Sequence, residues 1–341
     1  MTGWGIFYWL VPIEIYLLLP VLDEWIGDDS YNPDTDSIRE LERSRYYRLI
    51  PLFSAPLFLV GMGVSVWYWA NNDLHWLDSL GIILSLGFSN ALAINTAHEL
   101  GHKNTVLEKW GAKFLLSLPL YGHFLVEHNR GHHRHVATPE DSASAKMGEG
   151  LYRFMLREMI GGVSRACRME SERLRRKRLF VWGLRNECMQ SWLLSLILYL
   201  SLIAWLGLGV LIILIAQAFF AWFQLSIANY IEHYGLLRQK DENGQYLSCR
   251  PEHSWNSNRL LSGLVLLNLP RHSDHHANAG RRYQSLRSDP DAPLLPGGYP
   301  LMFILAMVPP LWRRIMDPCL MQHYGQDPRR INRLQQSGAQ T

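Results

Sequence analysis

The 341-residue chain is poor in cysteine, and its four cysteines are scattered: Cys167, Cys188, Cys249 and Cys319 form no Cys-x-x-Cys pair. That spacing excludes a cysteine-built zinc site, an iron–sulfur centre and c-type haem attachment. Any redox chemistry must therefore draw its electrons from outside the chain. Net charge is also small, +3 from 33 basic and 30 acidic residues, too little to imply a nucleic-acid partner. The N-terminus lacks a basic leader, and no small-residue cleavage site precedes the acidic stretch from Asp23, so a cleavable signal peptide is not expected.

Long apolar runs alternate with strongly charged segments, and together they average to a mean hydropathy near zero. This reads as an integral membrane protein with a large aqueous half. Five runs, 3–22, 50–71, 76–97, 189–206 and 208–228, suit helices crossing a bilayer of roughly 30 Å hydrocarbon thickness. Glu14, inside the first, is read as a protonated or interface-facing carboxylate on the bundle side. Residues 110–126, interrupted by Pro119 and Gly122, are short for a span and are expected to be re-entrant.

The remaining segments, 127–187 and 234–341, are soluble in character. An arginine-dense helix around residues 165–178 places them on the cytoplasmic side by the positive-inside rule. Its basic face suits anionic lipid headgroups or an acidic electron carrier. A charged helix is expected over 37–48. Residues 299–312 are too short and proline-broken to span, and the tail from Gln326 is expected to be disordered. The expected fold class is an all-α polytopic membrane bundle of about five spans with a cytoplasmic helical cap. With that cap inside, an odd number of spans starts the N-terminus outside, which suggests a preceding span missing from this chain.

Of 14 histidines, nine lie in four short stretches. These are His98-Glu99-Leu100-Gly101-His102, Glu127-His128-Asn129-Arg130-Gly131-His132-His133, Asn229-Tyr230-Ile231-Glu232-His233 and Arg271-His272-Ser273-Asp274-His275-His276. Buried imidazoles without partners lose hydration they cannot recover, so something must hold them. At helical spacing, His98/His102, His128/His132 and His272/His275/His276 can each share a face. Nine nitrogens exceed what one ion uses, and two ions with open positions is the economical account. Imidazole suits iron, copper and zinc alike. His98-Glu99-x-x-His102 also matches the zinc-protease pattern with Glu99 as general base, but that reading leaves six or more clustered histidines unexplained. A metal store or sensor is a third class, which would not need an apolar channel.

These four strings, with Val136-Ala137-Thr138-Pro139-Glu140-Asp141 and His253-Ser254-Trp255-Asn256-Ser257-Asn258, resemble the histidine boxes of the integral-membrane alkane 1-monooxygenases, the AlkB family, within the wider group of membrane desaturases and hydroxylases. The resemblance implies a non-haem di-iron centre on His98, His102, His128, His132, His133, His233, His272, His275 and His276. It implies O2 as co-substrate, terminal hydroxylation of n-alkanes, and electrons from rubredoxin with its NADH-dependent reductase. It further implies a six-span bundle in the bacterial inner membrane, with the opening residues here corresponding to the second span, and a channel position at Ile15 that limits substrate depth. Glu99, Glu127, Glu140, Asp141, Glu232 and Asp274 are candidates to accept the second ring N–H of a ligating histidine. His135 and His253 are candidates for a place just outside the ligands. A hydroxylase or epoxidase of another apolar substrate, such as an alkylaromatic, a terpene or a fatty acyl chain, is the alternative within the same chemistry.

Overall fold

The computed structural model describes residues 5–334, which are helical with no named strand. Residues 3 and 4 of the first expected span lie outside the described residues. Five helices are long and apolar enough to cross a membrane: α1 (Gly5–Ile26), α3 (Arg45–Ala70), α4 (Trp76–Gly101), α8 (Glu187–Leu206) and α9 (Leu208–His233). They overlap the five apolar runs. Both α4 and α9 continue beyond those runs until they deliver their histidines.

The helix ends follow from local chemistry. Asp34 caps α2 (Thr35–Arg43) through Ser37 N–H, and Asn186 caps α8 through Met189 N–H. Gly207, at φ 89°, ends α8 in a conformation that suits glycine. The charged helix expected over 37–48 breaks at Ser44, whose extended backbone separates α2 from α3. Its basic residues from Arg45 onward therefore form the first turn of a span.

The segment expected to re-enter is a helix, a turn and a second helix. Thr105 accepts from Glu108 N–H to start α5 (Val106–Ser117). Leu120, at φ 58°, then reverses the chain, and Tyr121 N–H closes the turn on Leu116 O at 2.8 Å. The return arm α6, residues 124–135, has a π-helical middle at His128–His132. A Cβ on Gly122 would lie 2.6 Å from that of Ser191, so the turn needs glycine to seat against α8.

Two apolar cores flank the histidines. One is shared by α3, α4, α5, α8 and α9 and includes Met62, Ala93, Ile94, Leu115 and Ile213. In it α4 and α9 approach closely: a Cβ on Gly87 would meet Gln217 O at 2.9 Å, and Asn90 donates to Gln217 Oε1 at 2.6 Å. Small residues and interhelical hydrogen bonds are how helices associate where apolar burial against lipid gives little drive. The second core joins α7 (Leu151–Arg176), the end of α9, α12 (Tyr299–Ala306) and α13 (Pro309–His323) through Phe154, Tyr230, Met302 and Trp312.

The C-terminal segment departs from expectation. Residues 326–334 pack in order: Ile331 is buried, Asn332 N–H donates to Gly235 O, and Met147 exchanges backbone hydrogen bonds with Asn332 and Leu334. A polar composition concealed one apolar anchor and a short parallel pairing. The expected disorder beyond Leu334 falls outside the described residues.

Candidate metal centre

The nine clustered histidines converge into two groups. His98, His102, His128, His133 and His275 form one; His132, His233, His272 and His276 form the other, and within each the ligand atoms lie within 4.8 Å of one another. Four helices supply them: the end of α4 brings His98 and His102, the end of α9 brings His233, α6 brings three, and α11 (His272–Ala277) brings three more. The short helix α10 (Leu260–Val265) precedes α11 and packs on α1.

The division between groups follows local helix geometry. His98/His102 and His272/His276 pair at a spacing of four, as an α-helix requires. His128 pairs with His133, five residues on, Nε2 to Nε2 at 3.0 Å. The π-helical turn is the reason, because it winds wider than an α-helix and brings residues five apart together. His128 and His132 were expected to share a face, and they fall in different groups. Likewise His275 joins the five-histidine group while His272 and His276 form part of the other.

The nitrogens face one another without enough protons to satisfy them. His133 Nε2 is 3.1 Å from His275 Nε2; in the second group His132–His276, His233–His272 and His276–His272 are separated by 3.2, 3.1 and 3.0 Å, Nε2 to Nε2. Buried Nε2 of His98 and of His102 has no hydrogen-bond partner. Burial pushes His102, His128, His133, His272, His275 and His276 well below the usual histidine range, so they are neutral at physiological pH. Neutral imidazoles directing lone pairs at a common point are donor sets for a metal ion. The residues therefore fit two metal ions, one per group.

The surrounding carboxylates do different things. Asp141 Oδ2 lies 2.9 Å from His132 Nδ1, while His132 Nε2 faces the group. Burial opposes charge on His132, but Asp141 outweighs it and raises the imidazole, which in turn holds Asp141 well below its usual range. Arg165 ties Asp141 at 3.0 Å to Glu127 at 3.4 Å. Burial raises Glu127 to about 7.

Glu232 is placed otherwise than expected. Its Oε2 is 3.3 Å from His272 Nε2, the nitrogen that faces the group's interior, and Tyr299 O–H donates to its other oxygen at 3.2 Å. Glu99 pairs instead with Lys103 at 3.1 Å, and Lys103 donates to Arg281 O. Asp274 is taken up by Arg281, Asn278 and the Arg287 N–H, fixing the loop that follows α11. Glu140 is exposed and pairs with His135 at 3.0 Å, away from both groups. His253 contributes its carbonyl, which accepts from His233 Nδ1 at 3.4 Å. Arg165 and Tyr299 do not stand out in the sequence: one sits in a run of arginines, the other in a proline-broken apolar stretch.

A narrow apolar cavity of about 40 Å³ has Tyr299, the partner of Glu232, in its wall. It is lined by Ile15, Leu19, Phe88, Leu92, Phe303 and Tyr299, among others. Leu92 is six residues before His98, about 9 Å of helix rise. The hydroxyls of Tyr16 and Tyr299, also in the wall, are spent on Gln224 and Glu232.

Comparison with known proteins gives this arrangement a family. A fatty acid desaturase family model matches residues 74–305. An alkane 1-monooxygenase of Ectopseudomonas oleovorans is 48% identical over 98% of this chain and 82% of its own length. Alkane 1-monooxygenase 1 of Alcanivorax borkumensis is 46% identical over the same shares, 98% and 82%. More distantly, the xylene/toluene monooxygenase hydroxylase component XylM of Pseudomonas putida is 30% identical over 75% of this chain and 69% of its own. With its five apolar helices and paired histidine groups, the chain belongs to the alkane 1-monooxygenases, integral-membrane enzymes of the fatty acid desaturase family.

Proposed function

We propose that the enzyme hydroxylates the terminal carbon of medium- and long-chain n-alkanes, using O2, two iron ions and electrons from reduced rubredoxin. The nine histidines named above would hold the iron, five nitrogens to one ion and four to the other. When bound, the iron pair supplies reductive activation of O2. One oxygen atom enters the alkane as hydroxyl and the other leaves as water, with two electrons and two protons consumed. The observation that carries the reading is an apolar slot whose Tyr299 wall is hydrogen-bonded to Glu232 at the four-histidine group.

The chain's own residues bind, orient and exclude water. An alkane has no polar handle, so affinity comes from burial, about 0.8 kcal/mol per methylene, along Ile15, Leu19, Phe88 and Phe303. Since the wall hydroxyls are already engaged, no polar group in the slot competes for water. Glu232 Oε2, 3.3 Å from His272 Nε2, would hold a proton at the four-histidine group. The histidine groups would lie on the cytoplasmic side of the bacterial inner membrane, where a soluble rubredoxin and its NADH-dependent reductase can reach them.

Turnover of octane by purified protein supplied with rubredoxin, reductase and NADH under ¹⁸O2 tests the proposal. Labelled 1-octanol is expected; unlabelled alcohol, or none from an iron-loaded protein, overturns it. The likeness to the xylene/toluene component favours one second reading, hydroxylation of an alkylaromatic methyl group. Faster turnover of p-xylene than of any n-alkane would establish it.

A further inference from the structure

We infer that a basic cavity at the foot of α8, lined by none of the nine histidines, binds the headgroup of an anionic phospholipid. The cavity holds about 590 Å³. Lys109, Lys113, Arg130, Arg173, Lys177 and Arg185 line it, against the single carboxylate of Glu187. Arg130 and Arg173 share the buried Glu170, and Arg130 also pairs with Glu187, so these two are fixed in place. Lys109, Lys177 and Arg185 form no ion pair with any described carboxylate. Converging cations repel, and the two carboxylates present do not offset six of them; a phosphate oxygen cluster does.

The surroundings select a lipid as the phosphate's carrier. Phe180, Trp182 and Leu184, in the segment that leads into α8, are 73%, 65% and 71% exposed. Exposed aromatic and aliphatic side chains beside cations, at the point where a span begins, are the composition of a membrane interface. From there α8 exposes Leu193, Leu196, Ile197 and Leu200, a path for acyl chains running away from the cavity. The cations surround a hollow whose other walls include the apolar Leu125, Leu179 and Leu184.

Occupancy would brace the metal-bearing segments from outside. Gly101 and Asn129 form part of the wall, and Asn129 Nδ2 donates to Gly101 O at 3.0 Å, one residue from His102 and one from His128.

The purified full chain in neutral detergent is titrated separately with phosphatidylglycerol, phosphatidylcholine and inorganic phosphate. Retained lipid is read by native mass spectrometry and the unfolding midpoint by thermal melting. One phosphatidylglycerol per chain is expected, with a raised midpoint. Its affinity should fall roughly thirtyfold in the double variant Lys177→Gln, Arg185→Gln and be kept in Lys177→Arg, Arg185→Lys. Equal retention of phosphatidylcholine, or unchanged affinity in the neutral variant, overturns the inference. The same midpoint shift with inorganic phosphate alone assigns the cavity to free phosphate and also overturns it. So does weaker binding of an acidic electron carrier in the neutral variant with lipid retention unchanged. None of these readouts needs metal or turnover, so their failure leaves the proposed reaction untouched.

Discussion

The five-histidine and four-histidine groups are made of the same side chain and lie side by side, with the His133 and His276 rings 4.4 Å apart, yet their settings differ. Two members of the five, His102 and His133, are only partly buried, whereas all four of the other group are buried. The carboxylate contacts fall on the four: Asp141 on His132 and Glu232 on His272. The apolar slot connects to the four through its wall residue Tyr299, which donates to Glu232. An uncharged, more accessible group thus lies beside one that is fully buried and carries the carboxylate contacts. Charges buried in a dry site act strongly, so one carboxylate there changes more than several at a wet rim.

The largest effects that sharpen this contrast come from His275 and His276, adjacent in sequence and opposite in allegiance. His275→Ala and His276→Ala should each bring turnover to background while each loses a different iron, distinguishable by Mössbauer spectroscopy. Identical spectra from the two variants would break the division.

Next come the carboxylates. Asp141→Asn should lower metal affinity or turnover by about ten- to a hundredfold, because it removes the acceptor that orients His132. Glu99→Gln, which touches Lys103 instead, should leave iron content near that of the parent. A collapse of iron binding in Glu99→Gln, with Asp141→Asn unaffected, would reverse the assignment.

Metal-free protein should lose stability as pH falls. Six of the histidines are depressed by burial, so below pH 6.5 the unfolded chain takes up protons that the folded chain refuses. Stability is highest above the ordinary histidine range and falls progressively as pH drops through 6.5. His132, raised by Asp141, works in the opposite sense and is outnumbered. Thermal melting from pH 7 to 5.5 checks this, and a midpoint that rises or stays level contradicts it.

Ile15→Trp, in the slot wall, should give the smallest change: less product from long alkanes with short ones retained. An unchanged length preference removes Ile15 from the channel's limit.

The convergence of the nine histidines was legible because clustered imidazoles in an apolar chain are costly to bury without partners, and the spans because apolar length is a strong signal. Their partition was not. It depends on a π turn at His128–His132, and the sequence invites the α-helical spacing instead. Glu232 looked like any carboxylate beside a ligand, and only the direction of its side chain relative to His272 Nε2 distinguishes it. Glu140, one residue from Asp141, shows the same limit, since neighbours in a turn point opposite ways. Arg165 was hidden among surface arginines, and the packing of Ile331 among polar neighbours.

Iron stoichiometry tests the central claim most directly. Elemental analysis of the purified protein, taken with Mössbauer spectra of the same sample, should give two iron ions per chain in two unequal nitrogen-rich environments. A single zinc per chain, or one iron environment accounting for all bound metal, would contradict it.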